Sequence, residues 1–252
     1  MITRLLSARP RAGRPYAGAV TANVPVVAVD SAVADGPGSL AAAVGADGAG
    51  RPRRPTQADL AAARGRTIPD LIAPGLRVLF AGINPSLYSA ATGYHFARPG
   101  NRFWPALHQS GFTRRQLRPE EQWLLPGSGL GITNVVARAT VRADELSAAE
   151  LRSGGGDLLA LAARLDVGWL AVLGVTAFRA AFGQPGAAVG PQEPQPGGAR
   201  VWLLPNPSGL NAHWTMPRLV VAFRELREAT DAGRRAAAQP GGPAGESPHP
   251  AR

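Results

Sequence analysis

The 252-residue sequence contains neither cysteine nor lysine. Without cysteine there is no disulfide framework, no thiolate-held iron–sulfur cluster, no cysteine-based zinc site and no cysteine nucleophile. Without lysine there is no side-chain amine for a Schiff base, and only the N-terminal amine remains for that chemistry. The four histidines are scattered, with no pair on one helix turn, so no protein-built metal site is expected. No apolar run approaches the ~18 residues of a membrane span, so no membrane partner is expected. The opening segment MITRLLSARPRAGRP breaks at its prolines before any apolar stretch develops. It makes a poor secretory signal, and a cytoplasmic location is the expectation.

Positive charge is abundant. All 27 basic residues are arginine, against 17 acids, for a formal net charge of +10. Residues 70–231 carry 15 Arg and 12 acids, so most of the excess lies in the flanks. A basic arm fits a polyanionic partner such as nucleic acid. A composition rich in Ala, Arg, Gly and Pro accounts for the same charge without any partner. Residues 1–55 show no sustained period, with Val24–Val29 as their one strand candidate, and are expected to be a disordered basic arm. Residues 232–252 are expected to be a disordered tail. One domain, over 56–231, is expected between them.

Within that domain helical and strand signals alternate. Thr56 caps a short helix to about Arg64, with Asp59 as its capping-box partner. Leu76–Ile83 reads as a buried strand, and Asn101–Ser110 as a helix that carries Pro105 early. Leu130–Thr133 is a second strand. Ser147–Leu165 is a helix with Gly154–Gly156 as a point of interruption. Val167–Leu173 and Arg200–Leu204 are further strands, and Val175–Phe182 and Thr215–Thr230 further helices, the last amphipathic through Leu219, Phe223 and Leu226. This order predicts an α/β fold: a three-layer α/β/α sandwich around a mainly parallel sheet.

In such sheets ligands bind beyond the carboxyl ends of the strands. Two strands end in nearly the same letters, Gly82-Ile83-Asn84-Pro85-Ser86 and Pro205-Asn206-Pro207-Ser208-Gly209-Leu210-Asn211. Either alone is ordinary turn chemistry. As a pair at the same sheet edge, where neighbouring strands lie about 4.8 Å apart, they bring two carboxamides within reach of one cleft.

GINPS, then Thr92-Gly93-Tyr94-His95-Phe96-Ala97-Arg98-Pro99-Gly100-Asn101-Arg102-Phe103-Trp104, then NPSGL, closely resembles the mismatch-specific uracil-DNA glycosylases over roughly residues 69–231. The resemblance implies a uracil-DNA glycosylase-like three-layer fold. It also implies hydrolysis of the N-glycosidic bond of uracil opposite guanine in double-stranded DNA, with no metal or cofactor, by a monomer that leaves an abasic site. A base inside a duplex must be everted before chemistry. The resemblance makes Leu210 the apolar wedge that fills the hole, with Ser208, Gly209 and Asn211 as its DNA-facing neighbours, Ser208 toward phosphate. It makes Asn84 the residue that holds the attacking water. A carboxamide orients water but hardly deprotonates it, so the reaction is expected to be dissociative and slow. Asn206 corresponds to the donor near base O2, Phe96 to the ring stacked on the base, and backbone near Ile83 to the reader of the base edge. Asn101 and Arg102 are expected to shape the fold.

Two departures from the family pattern matter. Ser86 stands where well-known mismatch-specific members have Gly, near C5 of the base, and is expected to narrow the pocket against thymine. Asn211-Ala212-His213 stands where Ser-Arg is frequent. Two other readings remain open at this point: a glycosylase that prefers ethenocytosine or hypoxanthine, and a catalytically silent DNA-binding module on the same fold.

Overall fold

A computed structural model describes residues 53–238 apart from 194, 196 and 197. Nearly all of the expected basic arm, including Val24–Val29, and residues 239–252 of the expected tail lie outside the described residues.

Four short apolar segments pair side by side in parallel: β1 (Val78–Gly82), β2 (Leu130–Asn134), β3 (Trp169–Leu173) and β5 (Val201–Leu204). A two-residue strand, β4 (Gly190–Pro191), adds antiparallel at the edge, giving the order β2-β1-β3-β5-β4. The parallel strands carry no polar alternation because both of their faces are covered. Val78 and Phe80 turn to one face, where α3 (Phe103–Gln109) and α6 (Met216–Ala238) supply Phe103, Leu107, Leu219 and Phe223. Leu79 and Ala81 turn to the other, where α4 (Ala148–Arg164) and α5 (Val175–Phe182) supply Leu151, Leu158 and Phe178. This period-two sorting makes the three layers. Phe80 anchors the first face, fully buried, with its ring 5.5 Å from those of Phe103 and Phe112 and 6.0 Å from that of Phe223. Burial of one such side chain stabilises the fold by roughly 1.5–3 kcal/mol.

Two short helices close the site end of the molecule, α1 (Gln57–Ala62) and α2 (Leu87–Thr92). Thr56 and Asp59 form the expected capping box on α1. Helix α2 has no counterpart in the sequence reading. Ser86 caps it by accepting from the Ser89 N–H, and Gly93 ends it in the left-handed conformation at φ 77°. Helix α6 runs to Ala238, so residues 232–238, expected to be disordered, are helical.

The glycines of α4 do not interrupt it. The helix is continuous from Ala148 to Arg164, and two of the glycines are where other elements cross it closely. A Cβ on Gly154 would lie 1.9 Å from the Val135 carbonyl oxygen, and one on Gly155 2.6 Å from that of Ala181. Gly156 faces open space. Gly154→Ala is therefore expected to destabilise the protein by roughly 1–3 kcal/mol or more. Gly156→Ala should stabilise it by about 0.4–1 kcal/mol. Urea unfolding of both variants checks the pair, and equal tolerance at the two positions would refute the close crossing.

Candidate active site

Parallel pairing puts the carboxyl ends of β1, β2, β3 and β5 on one edge, and a cavity of about 610 Å³ opens there. β3 separates the two motif-bearing strands, so they are not neighbours. The gap is bridged because the residue that follows β3 is Gly174, at φ 137°, a conformation that disfavours side chains. A Cβ there would meet Ile83 Cδ1 at 2.9 Å and Asn206 Cβ at 3.9 Å. The missing side chain lets the first residues of both loops converge on one point.

Asn84 is fixed by its nitrogen. Nδ2 donates to the Arg138 carbonyl at 3.0 Å and to Thr140 Oγ1 at 2.7 Å. Thr140 in turn donates its hydroxyl proton to the Arg142 carbonyl at 2.7 Å, so its oxygen must accept from Asn84. A flipped amide would set oxygen against two acceptors, which fixes the orientation. Oδ1 accepts no bond from the described residues, and Asn84 lines the cavity.

Asn206 is fixed the opposite way. Its Oδ1 accepts from the Ser208 N–H at 2.9 Å, which leaves Nδ2 as a donor without a partner among the described residues. Its carbonyl accepts from Asn211 Nδ2 at 3.0 Å. One cavity is thus lined by a carboxamide with a free acceptor and another with a free donor.

Ile83, Ser86, Phe96, Ser208, Leu210 and Asn211 line the same cavity. Phe96 sits in the left-handed region at φ 54°, uncommon for an aromatic residue. One face of its ring stacks on Phe103, with centroids 4.1 Å apart and planes 23° off parallel. Ser86 Oγ is engaged in capping α2 and donates to Ser89 Oγ at 3.1 Å. Ser208 Oγ accepts from the Leu210 N–H at 3.3 Å, and its own proton remains free to donate. Leu210 is 77% exposed. Gly209 is not part of the cavity wall. It packs on Gly100, whose carbonyl oxygen would stand 2.6 Å from any Cβ placed there.

Sequence reasoning assigned no role to three groups of the wall. Asn134, at the end of β2, points a third carboxamide inward, its Oδ1 2.6 Å from where a Cβ on Gly82 would stand. Its signal was present, since it is the last residue of a strand, although Asn84 and Asn206 each stand two residues beyond the ends of theirs. Thr140 orients Asn84 from a distant loop, which leaves no local signature. His95 is buried, and Nε2 donates to the Pro69 carbonyl at 3.0 Å. Burial pushes its imidazole down to about 4, with the Pro69 carbonyl opposing, so it is neutral at physiological pH. The single carboxylate in the wall, Asp144, is exposed and paired with Arg142. No group of three or more acidic, histidine or cysteine side chains able to hold a metal occurs among the described residues. His213, exposed on the loop that carries Leu210, is a second imidazole of the wall. At Asn84 and Asn206 the site offers fixed dipoles, with an aromatic face beside them.

Two comparisons bear on this site. The solution NMR structure of a "putative uracil DNA glycosylase" from Methanosarcina acetivorans matches with a TM-score of 0.45 at 19% identity, covering 65% of this chain and 98% of that one. The family model for the uracil DNA glycosylase superfamily matches residues 69–228, which contain every strand of the sheet and every cavity residue named above. With the match extending over more than half of its length, the chain belongs to the uracil DNA glycosylase superfamily.

Proposed function

We propose that this protein is a monofunctional, mismatch-specific uracil-DNA glycosylase that acts on G·U pairs in double-stranded DNA by everting the uracil. The observation that carries the reading is the complementary pair of carboxamides in one cavity, Asn84 with its oxygen free and Asn206 with its nitrogen free.

Cleavage of a nucleoside bond builds positive charge on the sugar and negative charge on the departing base. Asn206 Nδ2 is the donor for that base anion at O2, in a pocket where a preformed dipole needs no reorganisation. The free face of Phe96 stacks on the base while its other face stays on Phe103. Asn84 Oδ1 accepts from a water and aims it at the anomeric carbon. The Asn84 carboxamide cannot remove the water's proton beforehand, so bond breaking leads and water capture follows. Leu210, exposed on its loop, enters the stack where the uracil left. Ser208 donates toward a phosphate, and the protein works as a monomer without metal or cofactor.

Asn84→Ala should lower single-turnover excision from a G·U duplex by roughly 100-fold or more while the protein stays folded by circular dichroism. Unchanged excision would remove Asn84 from the reaction, and a binding module would show no excision in either protein. Duplexes bearing uracil or thymine opposite guanine, sized with and without alkali, check substrate and product together. Uracil should be released faster than thymine, because Ser86 narrows the wall relative to glycine, and strands should break only after alkali because no lysine is present. Equal release of the two bases would contradict the role of Ser86, and breaks without alkali would contradict a purely hydrolytic enzyme.

A further inference from the structure

Arg102 lies in the stretch Gly100–Trp104 that separates the two carboxamide motifs, and its guanidinium meets no carboxylate among the described residues. It is ringed by carbonyls instead. Nε donates to Pro207 O at 3.4 Å, one terminal nitrogen donates to Trp214 O, and the other donates to Ser208 O at 2.5 Å and Asn211 O at 3.0 Å. Its backbone N–H also donates to Pro207 O, at 2.9 Å. All four carbonyls belong to the single loop that carries Leu210. A second contact locks the same two segments, since Gly209 rests against the Gly100 carbonyl with no room for a side chain. Leu210 itself, 77% exposed, has no packing of its own to hold it, and its N–H reaches only Ser208 Oγ. Its position is set by the loop backbone, and one cation gathers four of that backbone's carbonyls. Carbonyl dipoles gathered around a point repel one another once the charge at that point is removed. The planar guanidinium fork reaches four acceptors in fixed directions, which a lysine ammonium does not.

We infer that Arg102 is a positioning residue for the wedge: it holds the 207–214 loop rigid so that Leu210 is presented to the duplex ready to insert. This rests on the glycosylase reading above. It deepens that reading by separating the work of eversion from the work of bond cleavage. Excision from base-paired DNA needs both, whereas excision from a single strand needs little of the first.

The test uses the full chain with Arg102→Leu, Arg102→Lys and Leu210→Ala, in single-turnover excision from a G·U duplex and from the same uracil strand unpaired. Arg102→Leu should slow the duplex reaction by roughly 10- to 100-fold. Excision from the single strand should fall by less than about threefold, and combining Arg102→Leu with Leu210→Ala should slow the duplex reaction no more than about threefold beyond Arg102→Leu alone. Equal losses on the two substrates, or additive losses in the double variant, would overturn the inference, because a merely structural arginine lowers both reactions alike. Should Arg102→Leu not fold, Arg102→Lys carries the same comparison with a smaller duplex-selective loss. If the unaltered protein excises from neither substrate, the glycosylase reading fails. Affinity for a duplex with a tetrahydrofuran abasic analogue opposite guanine decides the clamp alone in that case, and equally where the duplex is a substrate and the single strand is not. A loss of about tenfold or more in Arg102→Leu supports it, and unchanged affinity overturns it.

Discussion

A carboxamide can aim a water molecule only if it cannot turn over, and in this protein the two N–H bonds of Asn84 provide that constraint. One meets a backbone carbonyl, the other a threonine oxygen whose own proton is already committed to a second carbonyl. The oxygen is thereby left facing the cavity with a single orientation. The partners come from residues 138–142, beyond the end of β2, so the orientation depends on β1 and β2 being neighbours in the sheet. Asn206 is constrained in the reverse sense by the turn it begins. The two groups converge because β3, between their strands, is followed by a glycine.

The strand-end carboxamides give the site its fixed dipoles. His95 is held neutral by burial, Asp144 is the one carboxylate of the wall among the described residues and is paired with Arg142 at the surface, and His213 is exposed on the Leu210 loop. Such a site favours a reaction in which the leaving group departs largely by itself and the protein stabilises what forms. Fixed donors and acceptors suit that task because they need not reorganise as charge develops. Rate then depends on how well the departing base carries negative charge. On the proposed reading, uracil lacks the 5-methyl group of thymine and is the base expected to meet less hindrance from Ser86.

Much of this was legible before any coordinates. The parallel strands announced themselves as short apolar runs with turn residues after them, and the repeated Asn-Pro-Ser at two strand ends pointed to a shared edge. Arg102 was read as a fold-shaping residue, and it is one, through four carbonyls of a loop more than a hundred residues away. What sequence could not display was non-local. Strand order, and with it the need for Gly174 between the motifs, is set by packing of whole helices. Thr140 reaches Asn84 across 56 residues. Three consecutive glycines look like a helix break because propensity counts only the local chain. Here two of them are crossing points, and the packing they permit outweighs their intrinsic cost. Helix α2 went unread because Ser86 serves two ends at once, capping a helix and lining a pocket.

The most direct measurement of the central claim is the pH dependence of single-turnover uracil excision from a G·U duplex at saturating enzyme, between about pH 5 and 9. With Asn84 orienting water and His95 neutral throughout that range, the rate should be flat. One carboxyl titrates within it: partial burial pushes Asp70 up to about 6, the Thr133 side chain opposing, but it is not part of the cavity wall. The same profile measured in Asp70→Asn removes that ambiguity. A rate that still climbs through an ionisation in Asp70→Asn would show a titrating base at work and contradict a reaction run by two fixed carboxamides.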